Sequence, residues 1–234
     1  MTILINKFIK KLINNNNILI SKNFNKAQIQ PASLDLTLSA NCYRIKASFI
    51  PNNKKISRLI ESLTLNKLNL NHENLLEKNC IYLCELNEKL ELPISFSAKS
   101  NPKSTTGRLD IFTRLITENG KEYDYVTKGY KGKLYLEIIP QSFSIIVKKG
   151  ISLNQLRFYN ESHSVNSLIK SQNISIHIKK NEVSAYKAKK NTGAINLTKI
   201  NHYKIIDYWD EIIPIRNSFI IEKDEFYILR SFEN

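Results

Sequence analysis

Residues 132–139 read Gly-Lys-Leu-Tyr-Leu-Glu-Ile-Ile, and their alternation decides the fold class. Leu134, Leu136 and Ile138 face one side of an extended chain, and Lys133, Tyr135 and Glu137 face the other. The same period of two recurs where Leu34, Leu36 and Leu38 flank Asp35 and Thr37. Ile81 with Leu83, Ile145 to Val147, and Leu153 to Phe158 give further short strands. Many short strands with few long helical patterns predict a mainly β sandwich or barrel. Only 6 Gly serve the turns, so Asn is expected at many positive-φ positions.

Two stretches depart from this period. In residues 2–13, Leu4, Ile5, Phe8, Ile9 and Leu12 share one helical face, and Lys7, Lys10 and Lys11 take the other. The sequence therefore predicts a short amphipathic helix docked on its own domain and stopped by Asn14–Asn17. Between Lys54 and Asn74, Ile56, Leu59, Ile60 and Leu63 have helical spacing, which predicts a helical insertion.

A chain of 234 residues fits one large domain or two small ones. Its 42% hydrophobic content excludes disorder throughout. No run of about 18 apolar residues is present, so no transmembrane helix and no membrane partner are expected. The N-terminus has no signal-peptide pattern. The net charge, 35 − 21 = +14, favours an anionic partner such as a nucleotide or nucleic acid. Abundant Asn, Ile and Lys also fit a bias in coding composition. Cys42, Cys80 and Cys84 are too few for a disulfide framework and have no zinc-site spacing, so a reducing, cytoplasmic setting without metal is expected.

The chain also repeats itself. LLEKNCIYLCELNE, ending at Glu88, resembles IIEKDEFYILRSFE, ending at Glu233. Glu77, Lys78, Tyr82 and Glu88 match Glu222, Lys223, Tyr227 and Glu233 at a constant offset of 145. A weaker echo pairs the sixteen residues from Ser33 with those from Ser175. Residues 1–160 are therefore expected to form one complete unit, and 161–234 the start of a second.

The densest candidate site runs from Asn101 to Arg108. Asn101 can cap a helix and Pro102 suits its first turn. Lys103, Ser104 and Thr105 then bring a cation, two hydroxyls and free N–H groups to a helix N-terminus, an arrangement suited to an anion. Ser104 and Arg108 share a helical face, from which a guanidinium can clamp a phosphate or carbonyl. A solvated turn fits the same residues. Glu137 is a carboxylate in an apolar strand, suited to general acid/base work, or else an ordinary Glu on a wet sheet face. Tyr130, within Gly-Tyr-Lys-Gly, suits either stacking on a sugar or a plain hairpin. The four histidines form no metal or triad pattern.

Four segments, in order, resemble the dCTP deaminase family of the dUTPase-like superfamily. They are Gln30 to Leu36, Lys103 to Leu109, Gly132 to Glu137, and Gly150 to Leu156. The resemblance implies a dUTPase-like β-clip, a distorted jelly-roll barrel, assembled as a homotrimer with active sites between subunits. It implies hydrolytic deamination of dCTP to dUTP and ammonia, with no metal in the chemistry and Mg²⁺ accompanying the triphosphate. Glu137 matches the catalytic glutamate, Arg108 the arginine that polarises the site, and Ser104 the serine that orients water and base. Lys103 and Thr105 fall where the family binds phosphates. Gln155 lies in the fourth motif, and Tyr130 matches the aromatic that packs on deoxyribose. One departure is Thr127-Lys128-Gly129-Tyr130, where the family has Asp-Pro-Gly-aromatic; Asp124 is near but out of register. The repeat resembles the long two-copy bacterial branch, with the second copy cut short. Two other readings are a dUTPase-like pyrophosphatase and a deoxynucleotide-binding protein without turnover. No RRM-type strand supports a nucleic-acid module.

Overall fold

The computed structural model describes residues 2–20, 24–160 and 173–233. Two antiparallel sheets dominate. In the first, the order is β1 (Thr2–Ile3), β13 (Asn154–Asn160), β8 (Phe96–Pro102) and β10 (Tyr125–Val126), with β3 (Leu34–Leu36) also on β13. In the second, it is β5 (Thr64–Asn69), β4 (Leu38–Ile45), β7 (Tyr82–Glu91), β11 (Lys131–Pro140) and β9 (Ile111–Thr117), with β2 (Ile18–Leu19) on β7. A small sheet joins β15 (Ile195–Asn196), β12 (Ile145–Val147) and β6 (Asn74–Leu76). Another joins β16 (Trp209–Ile212), β14 (Ala185–Ala188) and β17 (Tyr227–Leu229). The mainly β prediction holds. Nine of the thirteen described non-Gly residues at positive φ are Asn, which is how a glycine-poor chain makes its turns.

Leu34, Leu36, Leu38, Leu134, Leu136, Ile138, Leu156 and Phe158 meet in one core. The other face of β11 is covered as well. Tyr135 packs with Ile45, Ile56, Leu83 and Ile116, and Ile60 and Leu63 lie against them. Ile56, Ile60 and Leu63 belong to helix α2 (Ile56–Leu63), the expected insertion, which then runs on as β5. This second layer replaces the wet face that strand alternation alone allowed for Glu137.

The N-terminal helix α1 spans Asn6–Asn14, because Thr2 and Ile3 are drawn into β1 beside Asn160 and Tyr159. Ile9 and Leu12 dock in the main core; Ile5 and Phe8 remain exposed, contrary to the predicted stripe. Asn101 and Pro102 are not a helix cap. Both pair with β13 as part of β8, so helix α3 is only Ser104–Arg108 and Lys103 precedes it.

The two similar segments share some local geometry. The Glu77 N–H donates to the Tyr82 hydroxyl at 2.9 Å, and the Glu222 N–H to the Tyr227 hydroxyl at 3.2 Å. Asn79 and Asp224, again 145 apart, have φ of 61° and 60°. Arg44 pairs with Glu77 at 2.7 Å and sits opposite Tyr82; Lys187 pairs with Glu222 at 2.6 Å and sits opposite Tyr227. Helix α2 gives way to strand at Thr64, and helix α4 (Ile205–Tyr208) at Trp209. No described helix is long and apolar enough to cross a membrane.

Candidate active site

Register places Glu137 directly opposite Arg114 of β9. Glu137 has 0% exposure. Its Oε1 accepts from Arg114 Nε at 2.8 Å and also from Nη2, whereas Oε2 is buried with no partner. The guanidinium carbon lies 3.9 Å from the Tyr123 ring centre and 5.1 Å from that of Phe112. A cation held over an aromatic face is stabilised by the ring quadrupole. Burial, then the charge of Glu137, pushes the Tyr123 phenol up. Burial also raises the Asp124 carboxyl, against its bonds from the Leu115 N–H (2.8 Å) and Ser100. Beneath them Ser100 donates to Asn154, whose Nδ2 donates to Thr113 Oγ1 at 3.1 Å. These bonds bridge β8, β13 and β9 and fix the floor. A carboxylate with one oxygen held by a cation and the other unbonded can exchange a proton through that second oxygen.

A second group gathers at the end of β13. Lys103 Nζ is ion-paired with the nearly buried Asp35 carboxylate. Asp35 faces Gln155 across the β3–β13 pair. Gln155 Oε1 accepts from Ser33 Oγ at 2.8 Å. Lys103 and Asp35 border a cleft of about 740 Å³ that also takes in Gln28, Gln30, Lys148 and Lys149. Three lysines against one aspartate suit an anionic ligand. Behind the cleft, buried Glu88 accepts from Gln28 Nε2 at 2.9 Å, Thr37 Oγ1 at 2.7 Å and the Thr37 N–H at 2.9 Å. Burial nonetheless pushes its carboxyl up.

Lys103 and Gln155 each neighbour Asp35, one through its ion pair and the other across the strand pair, and no bond among the described residues joins either to Glu137. Ser104, Thr105 and Arg108 are exposed on α3, and no bond among the described residues joins Ser104 or Arg108 to Glu137. Tyr130 corrects the expectation of a free stacking ring. It is 7% exposed in the main core, its hydroxyl donates to the Lys133 carbonyl, and it accepts from the Glu118 N–H. Burying the ring anchors the turn before β11 and leaves no aromatic face for a sugar. Sequence reasoning missed Arg114, Asp35 and Glu88 as site residues. Asp35 lay inside a recognised motif, but Arg114 is assigned only by strand register.

A mainly β, dUTPase-like fold with a buried acid–guanidinium pair and a cationic cleft is the framework of a nucleotide-processing enzyme. Profiles of the 2'-deoxycytidine 5'-triphosphate deaminase N-terminal and C-terminal domains match residues 1–162 and 153–234. The chain belongs to the 2'-deoxycytidine 5'-triphosphate deaminase family. A crystal structure of 2'-deoxycytidine 5'-triphosphate deaminase from Agrobacterium tumefaciens superposes with a TM-score of 0.90 at 35% identity, over 98% of this chain and 74% of that one. A Methanococcus maripaludis protein named dCTP deaminase, dUMP-forming, is 28% identical over 67% of this chain and 80% of its own length. A protein of the same name from Methanocaldococcus jannaschii is 29% identical, over 60% of this chain and 74% of its own.

Proposed function

We propose that this chain hydrolyses the exocyclic amine of dCTP, giving dUTP and ammonia. Glu137 carries the reading: a fully buried carboxylate with one unbonded oxygen, in a member of a deaminase family. Water adds to C4 of cytosine while Glu137 takes one of its protons. The proton passes to the amino nitrogen, the C4–N bond breaks and ammonia leaves, while the remaining hydroxyl proton moves to N3 as the C4 carbonyl forms. The water oxygen stays as O4 of uracil.

Lys103, Thr105 and Gln155 hold the triphosphate, which brings its own Mg²⁺. The place of Lys103 in the lysine-lined cleft supports this, as does Gln155 facing Asp35 across the strand pair. Ser104 and Arg108 act on the base from a neighbouring copy in a homo-oligomer, a trimer of dUTPase-like units. Their exposure on α3, away from Glu137, supports a shared site. Tyr130 serves by fixing the turn. Residues 161–234 begin a second dUTPase-like copy, and the matched glutamate N–H to tyrosine hydroxyl bonds support that division. The sparse cysteines support a cytoplasmic setting.

A dUMP product is the second reading, favoured by the names of the archaeal relatives. It needs a carboxylate to activate water against the triphosphate. Thr127-Lys128-Gly129 supplies none, and Asp124 is engaged by Leu115 and Ser100. Product analysis after incubation with dCTP and Mg²⁺ decides between them. We expect dUTP; dUMP establishes the coupled reaction, and no product from folded protein refutes both. Glu137→Gln is expected to slow deamination by about two to four orders of magnitude while dCTP still binds.

A further inference from the structure

We propose that Arg114 is a positioning residue for the deamination: it supplies the counter-charge of Glu137 and grips its Oε1, so that Oε2 alone meets the reacting water. The proposal rests on Glu137 being the acid/base.

Both Arg114 nitrogens that reach Glu137 engage the same oxygen, Oε1. A guanidinium facing a carboxylate commonly forks across both oxygens. Here the second oxygen is left without a donor, although it has no access to solvent. Such an atom is costly unless something else bonds it. A water or an amine hydrogen at the reaction centre is a group that Oε2 can accept from.

Arg114 is itself fixed. Tyr123 lies under its guanidinium, Phe112 flanks it, and the β9–β11 register sets its distance from Glu137. The surroundings of Glu137 are otherwise poor in charge. β7 offers Leu83 opposite it, and Tyr135 precedes it by two residues on the same face. From the turn before β10 come Tyr123 and Asp124, both of which interact electrostatically with Glu137. Asp124 opposes a negative Glu137, so Arg114 is the described cation that offsets both carboxylates.

Replacing Arg114 takes the counter-charge from a buried carboxylate that has another acid beside it, which disfavours the charged form. The acid limb of kcat/KM should then move to higher pH. An opposite charge at this range commonly shifts an ionisation by about 1–3 units. For Arg114→Met we expect the limb to move upward by about that much, with about 10–1000-fold lower activity at the acid end and partial recovery at high pH. Arg114→Lys keeps the charge but not the two-nitrogen grip, so its limb should stay near wild type while kcat falls.

A merely structural role predicts an equal loss at all pH values together with a lowered Tm, and that result overturns the proposal. So does a wild-type profile in Arg114→Met. An independent readout is the carbon-13 titration of the Glu137 carboxyl in wild type and Arg114→Met. A shift there with neither dUTP nor dUMP formed by the wild type sinks the deaminase reading and leaves the Arg114–Glu137 coupling standing. Coincident titrations remove the coupling whatever the activity.

Discussion

Phe143 is one of the side chains through which the first 160 residues hold the C-terminal segment, beside the Glu73 bonds to Asn196 and Thr198 and the β12–β15 pairing. It is 1% exposed, and its ring meets Tyr208 edge-on at 5.7 Å and Trp209 at 5.3 Å. Ala188 and Ile195 complete the cluster. Replacing a buried Phe with Ala costs about 3–5 kcal/mol through lost burial and the cavity left behind. The two edge contacts, each about 0.5–1.5 kcal/mol beyond burial, place Phe143→Ala near about 4 kcal/mol. At about 2–4 °C per kcal/mol for a chain of this size, Tm should fall by about 8–16 °C. Trp209 is the chain's single tryptophan, so its fluorescence reports the cluster directly. Urea unfolding followed by Trp209 emission should show the full loss. Far-UV circular dichroism, dominated by the two large sheets, should shift less. Phe143→Leu keeps most of the bulk and should lose only about 1–3 kcal/mol. A Trp209 midpoint in Phe143→Ala within about 1 kcal/mol of wild type would show that the segment does not depend on this ring.

Glu88 provides a test of stability against pH. Burial raises its carboxyl in the folded state, so its contribution is fully present below the unfolded carboxyl range near about 4.3 and is lost as pH rises through the folded value. The stability gap between wild type and Glu88→Gln in urea should therefore be more favourable to wild type at pH 4 than at pH 7; a gap moving the other way contradicts the assignment. Tyr82→Phe should cost about 1 kcal/mol by removing the acceptor for the Glu77 N–H. Tyr227→Phe, at a more exposed hinge, should cost less than half as much in the same assay, and equal losses would count against burial as the cause.

The sheet-forming segments were legible because alternation is local. Leu134, Leu136 and Ile138 declared their face without reference to any other strand. The burial of Glu137 was not legible. It depends on α2 and Tyr123 folding over a face that looks amphipathic in sequence, and sequence spacing does not say which helix covers which sheet. Ser104 and Arg108 read as partners of Glu137 by motif, yet within one chain the strand register gives that place to Arg114. The placement of the Tyr130 ring was hidden for a related reason. A Gly-Tyr-Lys-Gly turn shows where an aromatic is, but not whether its ring faces in or out.

The hinge 145 residues apart shows why some long-range features can nevertheless be read. Its parts lie within six residues: a glutamate N–H, a left-handed residue and a tyrosine hydroxyl. Side chains around it change, with Arg44 becoming Lys187, Asn79 becoming Asp224 and Cys80 becoming Glu225, while the backbone device stays. Asn and Asp both tolerate positive φ, and Arg and Lys both serve an exposed carboxylate, so these exchanges are inexpensive. Even the flanking bonds recur: the Ile45 N–H donates to the Ile81 carbonyl and the Ala188 N–H to the Phe226 carbonyl, at 2.9 and 3.0 Å. The environments differ, however. β7 continues to Glu91 and is paired by β11, whereas β17 ends at Leu229, which is 40% exposed. A device that persists in both settings is specified by its own few residues and not by the sheet around it. The Glu137–Arg114 pair is the opposite case: its partners lie 23 residues apart, and only a completed register between β9 and β11 makes them meet.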